Sequence, residues 1–346
     1  MSVQAQRESR LSERVPVDVN LLRHLLQEPI PVHLHRWWFA LGSTPLLLFL
    51  IQVGTGILLT FYYVASPERA LDSVRTISEQ IPFGWWFRGV HHWGASLMIL
   101  TVVLHMVRVF FTTAYRRPRE LNWLFGTGLL FLTLAFGFTG YALVYNQLSY
   151  WATTVGTNLI AGLPLIGNYL LAFTRGGLEV TANTLTRFFT LHIGLLPTFM
   201  IVLLGLHILL IRLHGVAQLD PKDERTTPFF PDHVLLSLLI GFYLALILSA
   251  LAVLFPPPIG DLANPAETPL HIKPEWYFYG VYRWLRLVPG TVGLAGMFAF
   301  AAALVFWPVI DSHLERWFKQ RDVGLILGAI VAVVVAAATI WEAVVP

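Results

Sequence analysis

Long runs of apolar residues with few or no charges dominate this sequence. A run of 18 or more such residues is typical of a transmembrane helix, because about 20 helical residues cross the hydrocarbon core of a bilayer. Only 12% of the 346 residues are charged, whereas a soluble domain carries about a quarter. Membrane-spanning backbone must satisfy its own hydrogen bonds, so the sequence predicts an all-α membrane protein with about seven transmembrane helices. We assign spans A to G to residues 38–64, 90–111, 123–144, 188–211, 233–254, 290–308 and 323–341.

The basic residues predict the orientation of the chain. If the N-terminus is cytoplasmic, 15 of the 23 lysines and arginines lie on the cytoplasmic side, as the positive-inside rule requires. We therefore expect a multi-pass protein of the inner (plasma) membrane, surrounded by membrane lipid, with a cytoplasmic N-terminus. Because the basic residues lie at membrane edges, the net charge of +3 gives no indication of nucleic-acid binding.

The pattern of spans and loops divides the chain. We expect a cytoplasmic N-terminal arm, a four-helix domain, a polar linker and a three-helix domain, at residues 1–36, 37–214, 215–232 and 233–346. Two long connections, 145–187 and 255–289, lie on the predicted outer face. Connections of that length in a compact protein are usually functional.

Four histidines at two matched spacings lie within the predicted membrane helices. Span B carries His91 and His105, fourteen residues apart, and span D carries His192 and His207, fifteen apart. At about 100° and 1.5 Å per residue, each interval returns to nearly the same helix face about 21–22 Å further along. Spans B and D run in the same direction, so His91 faces His192 near the outer surface. His105 likewise faces His207 near the cytoplasmic surface.

Two facing imidazole pairs can ligate the irons of two haems stacked across the bilayer. The alternative for any single histidine is a hydrogen bond to a neighbouring helix. Histidine inside a membrane helix is costly and marks a functional site by default. Two matched pairs on two helices favour the haem interpretation.

Glycines repeat the same interval in the neighbouring spans. Gly42 and Gly56 in span A are fourteen residues apart, and so are Gly126 and Gly140 in span C. A flat macrocycle wedged into a bundle needs neighbouring helices without side chains at the contact, so we assign these glycines to the haem sites. Close helix packing through small residues is the alternative.

Arginine and proline residues flank the predicted ligands. Arg88 and Arg108 lie three residues outside the two histidines of span B, at the membrane edges. They can pair with haem propionates or snorkel to the interface. Pro197 in span D removes one backbone hydrogen bond, which predicts a kink near the outer pair.

The chain contains no cysteine. This excludes a cysteine-ligated iron–sulfur cluster and a CxxCH haem attachment within it. Any such centre must belong to a partner protein.

Four motifs carry a family resemblance: HHWGAS at 91–96, GYALVYNQ at 140–147, TLTRFFTLH at 184–192 and PEWYFYG at 274–280. At these residues the chain resembles cytochrome b of the Rieske/cytochrome b complexes, which are quinol:cytochrome c or plastocyanin oxidoreductases. The fifteen-residue interval in span D is similar to that of the chloroplast and cyanobacterial branch. That branch divides the protein into a four-helix and a three-helix subunit, which are fused here.

The resemblance implies a function in electron transport. A cytochrome b of this kind binds two noncovalent b-type haems and oxidises quinol at the outer face, between the 145–187 segment and the PEWY loop. One electron passes to a Rieske iron–sulfur protein and the other passes through the two haems to an inner quinone site, so that protons cross the membrane. A c-type cytochrome or another acceptor completes the complex, which we expect to be homodimeric.

Two residues of the outer site follow from matching the motifs. Glu275 matches the proton acceptor from quinol, a role suited to a carboxylate whose pKa is raised in an apolar pocket. The alternative is an ion pair between Glu275 and Lys273. Tyr282 matches a tyrosine near the same site in the mitochondrial branch, with an interfacial aromatic anchor as the alternative.

The chain also departs from the family pattern. Ala40 occupies the position of a cysteine that holds an additional covalent haem in the plastid branch, so we expect no such haem here. Val144 and Tyr145 replace the usual Pro-Trp, which affects the shape of the quinol pocket. Two other functions stay open: a dihaem anchor that links a dehydrogenase to quinone, and a transporter whose histidines relay protons without haem.

Overall fold

The computed structural model describes residues 27, 29–35, 37–217, 222, 225–269 and 272–345. Most of the predicted N-terminal arm and part of the predicted linker lie outside these residues. The α-helices of the described chain are α1 (Ser43–Thr60), α2 (Ala70–Glu79), α3 (Gly84–Phe111), α4 (Glu120–Ala142), α5 (Gln147–Ala161), α6 (Gly167–Arg175), α7 (Ala182–Thr190), α8 (Leu196–His214), α9 (Val234–Leu254), α10 (Tyr279–Leu287), α11 (Gly290–Val305), α12 (Trp307–Phe318) and α13 (Val323–Val344).

Shorter elements connect these helices. Strands β1 and β2 are Pro29–Pro31 and Thr226–Pro228. Tight 3₁₀ turns cover Val32–His35, Trp37–Gly42 and Trp276–Phe278, and wider π turns cover Leu191–Leu195 and Phe229–His233.

The helices confirm the predicted all-α membrane fold. Within the described residues, six helical stretches are long and apolar enough to cross a membrane, and the bent pair α11–α12 makes a seventh. Their apolar side chains face outward as well as inward, which is expected where lipid rather than water surrounds the bundle. The six stretches are Ala40–Thr60, Gly84–Phe111, Glu120–Ala142, Ala182–His214, Phe229–Leu254 and Val323–Val344.

Span F differs from its predicted form. The sequence assigns span F to residues 290–308, but α11 ends at Val305 and α12 leaves at an angle of 80°. Pro308 lies in the first turn of α12, where its missing N–H costs no hydrogen bond. The same proline within a continued α11 would leave a carbonyl unpaired.

The core lies between α1, α3, α8 and α9. Helix α9 of the C-terminal half packs directly on α3, and a Cβ added to Gly89 would lie 2.6 Å from the Cβ of Ala252. Only glycine allows the two backbones to approach this closely. The buried core residues are Leu48, Phe49, Val90, Met98, Met200, Leu244, Leu248 and Ala252.

A buried ion pair joins the two halves at the inner end. Asp311 in α12 is 2% exposed and accepts hydrogen bonds from the Tyr115 hydroxyl at 3.1 Å and from Arg116 Nε at 2.8 Å. Tyr115 and Arg116 belong to the loop after α3, so these bonds connect the four-helix part to the three-helix part. Burial raises the pKa of Tyr115 to about 12, so its hydroxyl stays a donor.

The chain between α8 and α9 returns to the N-terminal segment. Strands β1 and β2 pair antiparallel, with Ile30 opposite Thr227. The hydropathy pattern gave no indication of this pairing, because three-residue strands carry too short a pattern to read.

The long outer segment after α4 forms a helical hairpin, α5–α6. Helix α5 begins at a capping box, in which Asn146 and Ser149 exchange side-chain-to-backbone hydrogen bonds. This fixes the start of α5 directly after the end of α4.

Candidate functional site

The structure brings the four membrane histidines together in two pairs. The ring centroids of His91 and His192 are 6.3 Å apart, and those of His105 and His207 are 6.5 Å apart. Metal–imidazole nitrogen bonds of about 2 Å on each side require facing nitrogens about 4 Å apart. Subtracting the radius of each ring from the centroid separation leaves about that distance when the two nitrogens point toward each other. Each pair can therefore hold one iron between two imidazoles.

A π turn explains why the two ligand helices carry different intervals. Helix α3 is regular across the fourteen residues from His91 to His105. On the other side, His192 lies in the π turn Leu191–Leu195, where the Leu196 N–H donates to the Leu191 carbonyl five residues earlier. A π turn holds one more residue than an α-helical turn, so the fifteen-residue interval spans the same height and face.

This π turn is the irregularity that Pro197 was expected to cause. Pro197 lies at the start of α8, directly after the turn. The predicted kink takes the form of a local widening, and residues 182–214 still form one continuous span.

Each of the four predicted glycines faces one of the four histidines. A Cβ added to Gly140 would lie 2.7 Å from His192 Cε1, and one added to Gly56 would lie 3.2 Å from His91 Cε1. At the inner end, a Cβ at Gly126 would lie 3.4 Å from His207, and one at Gly42 would lie 3.7 Å from His105. Side chains at these positions would crowd the imidazoles, so the backbone of α1 and α4 forms a smooth wall beside each pair.

Three cavities adjoin the histidine pairs. The inner cavity, of about 250 Å³, is lined by His105, His207 and Arg108. The middle cavity, of about 310 Å³, lies beside the outer pair on the side of Gln52 and Pro197. The outer cavity, of about 200 Å³, adjoins the outer pair and contains Glu275, Tyr277, Arg88, Tyr141 and Val144. The paired imidazoles, the side-chain-free walls and the adjoining cavities fit two planar iron cofactors.

The two arginines predicted beside the ligands have different surroundings. Arg88 donates to the Pro257 and Pro258 carbonyls at 2.9 and 2.8 Å, and its side chain lines the outer cavity. It ties the start of α3 to the loop after α9. Arg108 Nη2 donates to His105 Nδ1 at 3.2 Å and lines the inner cavity.

Glu275 reaches the outer cavity from the PEWY loop. Burial raises the pKa of its carboxyl group, which suits a proton acceptor that works at neutral pH. The alternative partner, Lys273, is engaged elsewhere, because its ammonium group donates to the carbonyls of Glu342 and Val345. The carboxylate of Glu275 therefore faces the cavity beside the outer histidine pair.

Tyr282 lies in α10, which directly follows the PEWY loop. Its hydroxyl donates to the Ile272 carbonyl at 2.8 Å, a bond that links the two ends of the PEWY segment. Of the two tyrosines Tyr277 and Tyr282, it is Tyr277 that lines the outer cavity with Glu275. Burial and the neighbouring carboxylate raise the pKa of Tyr277, so it stays protonated and can donate a hydrogen bond.

The two outer segments expected to enclose a substrate are joined by hydrogen bonds. Asn146 Nδ2 donates to the Ile259 carbonyl at 2.7 Å, and the Gln147 N–H donates to the Asp261 carbonyl at 2.9 Å. The start of α5 and the loop after α9 therefore form one wall on the predicted outer face. Tyr145, which replaces the usual tryptophan of the family motif, is buried in a cluster with Tyr150.

Several residues of this site could not be assigned from the sequence. The PEWY motif contains Tyr277 but does not indicate where its side chain lies. The 3₁₀ turn that follows Glu275 determines that Tyr277, and not Tyr282, reaches the cavity. Thr55 and Thr139, whose hydroxyls contact the outer histidines, each precede one of the glycines. The Thr-Gly pair occurs at the same place in both helices, and this repeat is the sequence feature that could have identified the two threonines.

Comparison with known proteins covers both halves of the chain. Residues 25–215 match the family model cytochrome b/b6/petB, and residues 262–345 match cytochrome b(C-terminal)/b6/petD. The cytochrome bc complex cytochrome b subunit of Chlorobaculum thiosulfatiphilum is 38% identical over 332 residues, which cover 92% of this chain and 76% of that protein. Cytochrome b6 of Heliomicrobium gestii is 45% identical over 208 residues, which cover 60% of this chain and 98% of that protein.

The fold matches as well as the sequence. A solved structure of a hyperthermophilic respiratory Complex III superposes with a TM-score of 0.85 at 28% identity, and the match covers 98% of this chain and 91% of that chain. These findings confirm the resemblance read from the motifs. The chain belongs to the cytochrome b/b6 family, with the N-terminal and C-terminal parts of the family in one polypeptide.

Proposed function

We propose that this chain is the dihaem cytochrome b subunit of a bc-type complex that oxidises membrane quinol at its outer face. His91 and His192 hold the outer of two noncovalent b-type haems, and His105 and His207 hold the inner one. The observation that carries the proposal is the pair of facing imidazoles at each end of the bundle, with centroids 6.3 and 6.5 Å apart. When bound, the two haems take up and release single electrons, which lets charge cross the bilayer.

The chain's own residues position these groups. Gly42, Gly56, Gly126 and Gly140 leave room beside the imidazoles. Arg108 provides a cation at the inner cavity for a propionate. Arg88 lies at the rim of the outer cavity, where its bonds to the loop after α9 also hold that loop over the site.

Quinol is oxidised in the outer cavity. The oxidation releases two electrons and two protons. One electron passes to a Rieske iron–sulfur partner, and the other electron enters this chain. Glu275 accepts one of the protons, because its carboxylate faces the cavity and its raised pKa makes it a stronger base than a solvent-exposed carboxylate. The second proton leaves to the outer aqueous phase. Tyr282 supports this site by bonding to the Ile272 carbonyl.

The partners follow from what the chain lacks. Without cysteine it cannot supply the iron–sulfur cluster or a c-type haem, so both belong to other subunits of a homodimeric complex. The chain crosses the plasma membrane with its N-terminus in the cytoplasm. The second quinone site lies near the inner haem.

A reduced-minus-oxidised spectrum with pyridine haemochrome quantitation tests the haem proposal. We expect two acid-acetone-extractable b-type haems per chain, and one in His91→Ala or His105→Ala. No haem band would overturn the proposal and favour a transporter. A third haem that resists extraction would contradict the expectation drawn from Ala40.

The pH dependence of quinol oxidation tests Glu275 in the purified complex. The base works only when deprotonated, so the rate rises with pH through the raised pKa of Glu275. Glu275→Gln removes this rise and lowers the rate about 10²–10⁴-fold. Glu267→Gln, an exposed carboxylate in the same loop, is the matched control. An unchanged Glu275→Gln profile favours the dihaem anchor, which needs no proton acceptor at this position.

A further inference from the structure

The outer histidines share a feature that the inner ones lack. Thr55 Oγ1 lies 2.9 Å from His91 Nδ1, and Thr139 Oγ1 lies 3.0 Å from His192 Nδ1. Both threonines are buried, with 7% and 6% of their surface exposed. Each hydroxyl comes from the helix that faces the histidine, α1 in one case and α4 in the other.

The hydroxyl proton of each threonine is already engaged. Thr55 donates to the Ile51 carbonyl at 2.8 Å, and Thr139 donates to the Ala135 carbonyl at 2.7 Å. A hydroxyl has one proton and two acceptor lone pairs, so each threonine oxygen can accept a hydrogen bond from its histidine. It does so beside the backbone carbonyls of Gln52 and Phe136, which also interact with His91 and His192. Nδ1 is then the protonated nitrogen, and the Nε2 lone pair of each ring is available for a metal.

We propose that Thr55 and Thr139 are positioning residues that hold the two outer ligands in one tautomer and one ring orientation. The inference rests on the proposed haem function and concerns the outer pair alone. A hydrogen bond to the remote nitrogen of a metal-binding imidazole fixes the ring and raises its basicity. Here two equivalent bonds do so from opposite sides of the bundle.

The neighbouring glycines belong to the same arrangement. Thr55 precedes Gly56 and Thr139 precedes Gly140, so each Thr-Gly pair places a hydroxyl at Nδ1 and an open wall at Cε1 of one ring. Threonine and glycine therefore act together, one by a directed bond and the other by the absence of a side chain.

The inner pair is built differently. His207 Nδ1 donates to the Asn122 backbone carbonyl at 3.2 Å, and His105 Nδ1 accepts from Arg108. Neither partner is a side-chain hydroxyl. Substitution of the threonines is therefore expected to alter one haem of the two.

Valine substitution tests the proposal, because valine keeps the branched shape of threonine and removes the hydroxyl. Thr55→Val and Thr139→Val are compared with Thr133→Val in the purified complex. Thr133 is 3% exposed in α4 and lines the middle cavity beside the outer pair, but its hydroxyl donates to the Leu129 carbonyl at 2.8 Å, so its loss reports the cost of the same change next to the site. The readouts are the electron paramagnetic resonance gmax of each oxidised haem, which depends on ring orientation, its midpoint potential and its rate of loss.

We expect each valine variant to shift the gmax of one haem, to raise the potential of that haem and to weaken its retention about 10–100-fold. The potential rises because a less basic imidazole stabilises ferric iron less. The other haem and the Thr133→Val protein stay as in the wild type. Thr55→Ser and Thr139→Ser, which keep the hydroxyl, restore the wild-type values.

Two results would overturn the inference. If both haems of the valine variants have the same gmax, midpoint potential and rate of loss as those of Thr133→Val, the hydroxyls do not position the ligands. Serine variants that lose the haem together with the valine variants would assign the effect to the lost methyl group. A wild-type protein without haem would instead defeat the proposed function, so the two failures are distinguishable.

Discussion

The two helices that carry the paired histidines place them at matching heights by different backbone geometries. In α3 the histidines are fourteen residues apart on a regular helix. In the stretch from α7 to α8 they are fifteen apart, and the π turn Leu191–Leu195 contains the additional residue. The two centroid separations, 6.3 and 6.5 Å, nonetheless differ by only 0.2 Å.

This difference shows which quantity the fold maintains. The residue count between ligands varies, whereas the height and face of each imidazole stay matched across the bundle. The two pairs of glycines, Gly42 with Gly56 and Gly126 with Gly140, repeat the fourteen-residue interval of α3, and Gly42 lies in the 3₁₀ turn directly before α1. The π turn brings the irregular helix into register with them.

A one-residue deletion in α3 should have the largest effect on haem content. Removing Leu100, a lipid-facing residue that is 40% exposed, rotates one histidine of α3 by about 100° relative to the other. One of the two pairs then loses a ligand, and we expect the haem content to fall from two per chain to one. Leu100→Ala should retain both haems. Two haems in the deletion variant would show that the register of α3 is not required.

A one-residue deletion in the stretch from α7 to α8 should be tolerated once Pro197 is also replaced. Removing Gly194, beside which an added Cβ would meet nothing within 4 Å, converts the π turn to an α turn and gives a fourteen-residue interval. Pro197 then lies within a continuous helix, which costs about 3 kcal/mol or more. We expect the deletion alone to lower the temperature of thermal bleaching.

The double variant, Gly194 deletion with Pro197→Ala, should retain two haems and recover the bleaching temperature. Pro197→Ala alone is the matched control. If the double variant loses a haem that the single substitution retains, the π turn does more than restore the register.

The sequence predicted the pairing of the four histidines well because its signal is local. Periodicity alone placed His91 opposite His192 and paired the glycines with the histidines by interval, and the structure brings these residues together. Span boundaries agreed to within a few residues for most helices, since hydropathy reports burial in lipid directly.

The remaining features depend on contacts that a single sequence does not specify. Pro197 indicated an irregularity, but a missing N–H can be accommodated by a bend or by a π turn, and neighbouring helices decide which. The bend after Val305 follows from how α12 packs on Tyr115 and Arg116 through Asp311. Predicting the contact between the Thr55 hydroxyl and His91 would require the side-chain directions of two helices at once.

A graded series of alanine substitutions should sharpen the comparison with the smallest effects. At each end, the glycine that faces the π-containing helix is closer to its histidine than the one that faces α3: 2.7 Å against 3.2 Å outside, and 3.4 Å against 3.7 Å inside. A Cβ closer than 3.0 Å forces a shift in the ring or the backbone, whereas one at 3.7 Å makes ordinary contact.

We therefore expect haem retention to fall in the order Gly140→Ala, Gly56→Ala, Gly126→Ala, with Gly42→Ala close to the wild type. Overpacking of this kind costs about 1–3 kcal/mol, so the largest loss should be at Gly140. Gly54→Ala, in the same helix as Gly56 with nothing within 4 Å of the added Cβ, is the control. Retention measured as the rate of haem transfer to apomyoglobin gives the order. Equal losses at Gly140 and Gly42 would show that α4 and α1 have the same clearance from their histidines, and that the π turn brings its helix no closer to α4.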